Sequence, residues 1–182
     1  MKKALAMVEY KTVSSGMQAA DIMVKTAEVD IIEATTVCPG KYMVLVSGLL
    51  SAVRAAVDAA ATKLPETLID SFVLGNPHDT IFDALYGTTD IENPDALGVL
   101  ETFSSSSAIV AADIAAKTAL VDLIELRLSR GMCGKSYLLL TGEIAAVQAA
   151  IDKAKSAVGE NGMFLDSAVI PHPDEKMWRS IL

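Results

Sequence analysis

The chain has 182 residues, 52% hydrophobic but only 5% aromatic, and a net charge of −8, so it holds one large domain or two small ones with cores of Ala, Val, Ile, Leu and Met. The acidic balance, with no basic run or basic–aromatic cluster, argues against a nucleic-acid partner. Two cysteines cannot build a disulfide framework and fit a reducing cytoplasm, and no apolar run approaches the about 18 uncharged residues a membrane helix needs.

In chain order, MKKALAMVEY sets Lys2 and Lys3 before an apolar run, but Glu9 cuts that run too early for a signal peptide. Ala4–Tyr10 is therefore expected to be a strand. Ser14–Glu28 has helical spacing, with Met17, Ala20, Val24 and Ala27 sharing a face and Ser14 or Ser15 placed to cap it. Val29–Val37 and Tyr42–Ser47 predict two strands joined by the loop Cys38-Pro39-Gly40-Lys41, where proline and glycine force a tight backbone. Leu49–Lys63 predicts an alanine-rich helix with Val53, Ala56, Val57 and Ala60 on one side, and Thr67–Leu74 a fourth strand. NPHDTIFDAL predicts a short closing helix, and YGTTDIENPD, residues 86–95, carries the Gly, Asn and Pro of a linker.

After the linker the pattern repeats. Residues 4–33 and 96–125 share 16 of 30 identities at a shift of 92, among them Glu9/Glu101, Asp21/Asp113 and Lys25/Lys117. The shift becomes 94 at Gly40-Lys41/Gly134-Lys135 and 96 at Asp70-Ser71/Asp166-Ser167, as two small loop insertions would produce. A period this long describes a whole domain rather than a solenoid repeat. The chain is thus expected to be a duplication, with domains 1–88 and 95–182. Each has the order β-α-β-β-α-β, the ferredoxin-like α+β arrangement of an antiparallel sheet with two helices on one face.

The loops TTVCPGKY and RGMCGKSY differ within this symmetry. At the local shift, Met132 falls opposite Cys38 and Cys133 opposite Pro39, in a loop two residues longer. Gly131, Met132, Cys133 and Gly134 form the second-copy loop, and Cys133 is expected to be a structural or free thiol.

The paired stretches AADIMVKTAEVDII and AADIAAKTALVDLI, each followed by a Gly-containing loop, a strand and SGLLSAVRAAVDAA or TGEIAAVQAAIDKA, resemble the domains of bacterial microcompartment shell proteins. The resemblance spans the chain twice. It is therefore to the tandem-domain shell proteins, whose trimers are pseudohexamers that mimic the six-fold tiles of single-domain relatives. TTVCPGKY and SAVIPHPDEKMWRSIL look most like the T-type shell proteins of propanediol-utilising compartments.

That resemblance implies a structural tile rather than an enzyme, in a shell within the bacterial cytoplasm, meeting other shell proteins edge to edge. It implies a pore loop at Cys38, Pro39, Gly40 and Lys41, and a [4Fe–4S] cluster held through Cys38 of three chains. Such a cluster would pass electrons across the shell, to a redox enzyme inside. It also implies tile-edge roles for Lys25 and Lys117, with Asn76, His78 and His172 in the segments that meet them. One thiolate cannot hold a cluster, whereas a three-fold axis presents Cys38 three times and a cube accepts three thiolates with a small fourth ligand.

Other residues carry less chemistry. His78 and His172 lack a Cys or His at metal-ligand spacing. Asp21 and Asp113 precede lysines by four residues, a helical ion-pair spacing. Ser104 to Ser107 read as a helix start, since no Gly-x-Ser-x-Gly frame surrounds them, and Trp178 as an anchor of the tail. Two alternatives stay open from the residues: a shell tile with a metabolite pore and a free thiol, and a soluble ferredoxin-like regulator or enzyme binding a metabolite.

Overall fold

The computed structural model describes residues 4–92 and 94–182. Lys2 and Lys3, used in reading the amino terminus, and Asn93 of the linker lie outside these. The described residues divide into two compact units, 1–77 and 78–182.

The first unit runs β1 (Ala4–Tyr10), α1 (Val13–Thr26), β2 (Val29–Val37), β3 (Lys41–Gly48), α2 (Leu50–Lys63) and β4 (Leu68–Leu74). Its sheet has the order β2-β3-β1-β4, antiparallel throughout. β1 is central and wholly buried. Ala4, Ala6, Val8 and Tyr10 pack into the core with Ala19 and Met23 of α1 and with Val53, Ala56, Val57 and Ala60 of α2. Alternate residues Leu5 and Met7 are also inaccessible, so the strand is apolar on both faces rather than alternating.

The second unit begins with α3 (Thr80–Tyr86) and continues β5 (Ala96–Thr102), α4 (Ser105–Thr118), β6 (Asp122–Arg127), β7 (Ser136–Gly142), α5 (Ile144–Gly159), β8 (Phe164–Ile170) and α6 (Glu175–Ile181). Its sheet order β6-β7-β5-β8 repeats the first. The register repeats in detail: a bulge lies between Ile31 and Glu33 in β2, and an equivalent one between Leu123 and Glu125 in β6. Residues 78–88, which the repeat assigns to the first copy, lie by their contacts in the second unit. α3 buries Ile81 and Ala84 and packs against β6 and α4. A helix of about two turns has no stability of its own, so tertiary burial decides where it belongs.

Two local expectations shift. Thr12, not Ser14 or Ser15, caps α1, accepting from the Ser15 N–H at 3.3 Å, because the helix begins at Val13. The face α1 buries is Gly16, Ala19 and Met23, while Met17 and Val24 of the expected stripe are exposed. Gly16 is the cause. A Cβ there would collide with Tyr42 Cβ, so the missing side chain lets α1 lie on the tyrosine. In the second unit the same two positions are Ala108 and Ser136, a larger helix residue over a smaller strand residue.

Gly16→Ala should therefore destabilise the protein by about 1–3 kcal/mol through overpacking. Gly159→Ala, which adds a methyl with nothing within 4 Å, should leave it nearly unchanged. Chemical unfolding midpoints compare the two, and equal midpoints would show that Tyr42 simply moves aside.

Candidate functional site

The loop predicted to carry function is the turn of the β2–β3 hairpin. Val37 and Lys41 still pair across the ladder, and the Gly40 N–H donates to the Val37 carbonyl at 3.0 Å. Between them the chain passes through a cis Cys38–Pro39 peptide and then Gly40 at φ +95°. A Cβ on Gly40 would meet nothing within 4 Å, so the position needs glycine for its backbone, not for space. Cys38 thus sits at the tip of a short hairpin, half-buried and without a disulfide partner.

Lys41 is not a free loop cation. Its ammonium forms an ion pair with Glu9 of β1, whose side chain is only 4% exposed. A buried carboxylate is tolerable only when paired, so the lysine is held under the loop, at its root. Tyr42 beside it donates its hydroxyl to the Ala34 carbonyl at 3.0 Å, tying β3 to β2 below the turn.

The second-copy loop is built differently. β6 ends at Arg127 and β7 begins at Ser136, so residues 128–135 replace the three-residue turn 38–40. The expected two-residue difference is exceeded because a serine network displaces the end of the ladder. The Ser129 N–H donates to Ser136 Oγ at 3.0 Å, Ser129 Oγ donates to the Gly134 carbonyl at 3.0 Å, and Ser105 Oγ lies 2.6 Å from Ser129 Oγ. All three serines are buried. The Lys135 N–H donates to the Met132 carbonyl at 3.1 Å, across Cys133 and Gly134, both at positive φ. Cys133 is exposed on this turn. Ser105 lies in the serine run that marks the start of α4, but nothing in its spacing announces Ser129 and Ser136 as partners.

Just beyond this loop, the Tyr137 hydroxyl donates to Glu125 Oε2 at 2.7 Å, and Arg127 donates to Glu125 Oε1 at 2.8 Å while lying 5.5 Å from the Tyr137 ring centre. Burial first, then the hydrogen bond to the carboxylate, pushes the Tyr137 phenol up to about 12. Burial alone raises that of Tyr10.

The predicted edge residues are gathered unequally. Lys25 pairs with Asp21 at 2.7 Å, both well exposed. Lys117 pairs with Asp113 at the same distance, but Asp113 is buried and also accepts the His78 N–H at 2.8 Å. His78 and Lys117 therefore meet on one carboxylate, and the His78 ring lies 2.9 Å from Thr80 Oγ1. Asn76 takes a left-handed φ of 59° after β4, and His172 is exposed after β8. Among the described residues, no three His, Cys, Asp or Glu side chains converge within one chain. No described helix is long and apolar enough to cross a membrane.

The BMC domain family matches the chain twice, over residues 4–77 and 96–173. The bacterial microcompartment shell protein PduT of Citrobacter freundii is 34% identical over 182 residues, covering 100% of this chain and 99% of that one. The shell protein PduA of the same organism is 42% identical over 60 residues, 33% of this chain and 64% of its own. A microcompartment protein from Desulfitobacterium hafniense DCB superposes with a TM-score of 0.94 at 41% identity, covering 98% of this chain and 99% of that one. A fused, permuted hexameric shell protein of the RMM microcompartment superposes at 0.65 with 26% identity, over 87% and 84% of the two chains.

The raised Tyr137 phenol has a consequence at high pH. The fold favours the neutral form, so its contribution is complete below about pH 10 and lost as pH rises through about 12. Tyr137→Phe should reduce that alkaline loss and remove the highest-titrating step from a tyrosinate absorbance titration. An unchanged titration would place the Glu125 hydrogen bond elsewhere.

Proposed function

The chain belongs to the BMC-domain family of bacterial microcompartment shell proteins, and on that premise we propose that it is a homotrimeric, pseudohexameric tile whose central loop holds a [4Fe–4S] cluster through Cys38 of three chains. It is a structural component of a microcompartment shell, not an enzyme, as its relatives are. The alternative of a soluble metabolite-binding regulator gives way to that membership.

The observation that carries the cluster reading is the inequality of the two loops. Only the first copy ends its hairpin in a three-residue turn with a thiol at the tip. The second copy fills the equivalent region with a hydrogen-bonded serine network. Six identical loops could not provide three thiols at one axis, whereas alternating unlike loops can. Cys38 fits the group as one ligand per chain: it is half-buried at the turn and without a disulfide partner, and the neighbouring Lys41 is paired with Glu9. The cluster requires three such thiolates and a small fourth ligand. When bound, it would carry single electrons across the shell, toward a redox enzyme inside. The tile edge is formed by Lys25 and Lys117 with Asn76, His78 and His172, against other shell proteins.

Protein purified without oxygen should be brown and contain about four iron and four sulfide per three chains. Cys38→Ser should abolish colour and iron while preserving the assembly mass, and Cys133→Ser should keep both. A colourless wild type with iron near zero would leave the second reading, a metabolite pore with a free thiol. Lys25→Ala should break the sheets or tubes seen by electron microscopy, since each chain would lose one of its two edge lysines, and with it alternate edges of every tile; persistent sheets would move the edge contact elsewhere.

A further inference from the structure

The repeat makes the two units an internal control for each other. Each presents the same edge, formed by its first helix and its bulged outer strand. In the second unit that edge is covered. α3 packs against β6 and α4, the His78 N–H meets Asp113, and Leu123 is fully buried. In the first unit the matching positions are bare. Ile31, opposite Leu123 in the repeat, is 45% exposed, and Met17, opposite the buried Ile109, is 57% exposed. The Asp21 side chain is 58% exposed where that of Asp113 is 9%.

The helix that would cover such an edge also occurs twice. NPHDTIFDALY at 76–86 and HPDEKMWRSIL at 172–182 align without a gap at the shift of 96. Pro77 then matches Pro173, Ile81 matches Met177, and Ala84 matches Ser180. Ile81 and Ala84 are buried in α3, but α6 buries nothing, and Met177 is 37% exposed. One copy of the pair is joined, and the other leaves helix and edge both open.

We infer that α6 of one chain docks on the α1–β2 edge of a second copy, as α3 docks on α4 and β6. Met177 takes the place of Ile81 and covers Ile31. The Asp174 N–H donates to Asp21, as the His78 N–H does to Asp113. Each chain then offers one helix and one receiving edge, a head-to-tail contact of the kind that closes into rings. The contact rests on the reading that copies assemble into a tile, and it names the segment that joins them.

The test uses two full-length variants, Met177→Asp and Ile31→Asp, by light scattering coupled to gel filtration. The wild type should be a closed multimer, and each variant alone should lose it. Mixed, they retain one intact helix and one intact edge between them, so they should form a one-to-one dimer and nothing larger. A misfolded chain could not complement in this way, and the milder pair Met177→Ser and Ile31→Ser is read identically. Either variant keeping the wild-type mass, a mixture that stays monomeric, or a monomeric wild type would overturn the docking. Iron measured on the same samples separates the two proposals. A wild-type multimer devoid of iron, but broken by Met177→Asp, removes the cluster and keeps the docking; an iron-bearing wild type whose Met177→Asp variant keeps both mass and iron does the reverse.

Discussion

An antiparallel βαββαβ unit covers one face of its sheet with its own two helices, yet its outer strand and first helix still present an apolar edge. That edge cannot remain in water without cost, and none of the six βαββαβ elements covers it. In the second unit α3 solves the problem, with Ile81 and Ala84 buried on β6 and α4 and the His78 amide on Asp113. Much else follows from this requirement: where the units divide, and why Asp113 is buried and Asp21 is not.

Duplication matters because it permits inequality. A tile of identical domains must place the same loop at every position around its axis. Two fused copies free one loop from the other, and this chain has used the freedom. The first copy keeps a turn so short that Cys38 is at its tip, with the neighbouring charge drawn down to Glu9. The second has lengthened its loop and stabilised it internally through Ser105, Ser129 and Ser136. Buried hydroxyls satisfied by one another and by backbone groups hold the loop in one conformation.

The same inequality appears in packing. Gly16 under Tyr42 and Ala108 over Ser136 are two solutions to one contact between first helix and third strand. The tyrosine uses its reach to bond the Ala34 carbonyl, while the serine uses its hydroxyl to hold the second loop. The same pair of positions braces the hairpin strands in one copy and the longer loop in the other.

The amino-acid order by itself determined the duplication, the βαββαβ topology, the family and the lone Cys38 in its turn. These are local or periodic properties: the identities at a constant shift, the apolar faces of α2, and a Pro-Gly turn between β-rich runs. Only the tertiary structure decided which face of α1 is buried, where α3 belongs, how Lys41 is held and which serines meet. Met17, Ala20 and Val24 form a good apolar stripe by spacing, but Gly16 turns the adjacent face, one residue round the helix, onto Tyr42. Ser105, Ser129 and Ser136 are distant in the chain and chemically ordinary, and they become a network only because β6 stops early and β7 returns beside α4. Periodicity reports which residues share a side; contact between sides depends on the shape of both partners, and that shape exists only once the chain has folded.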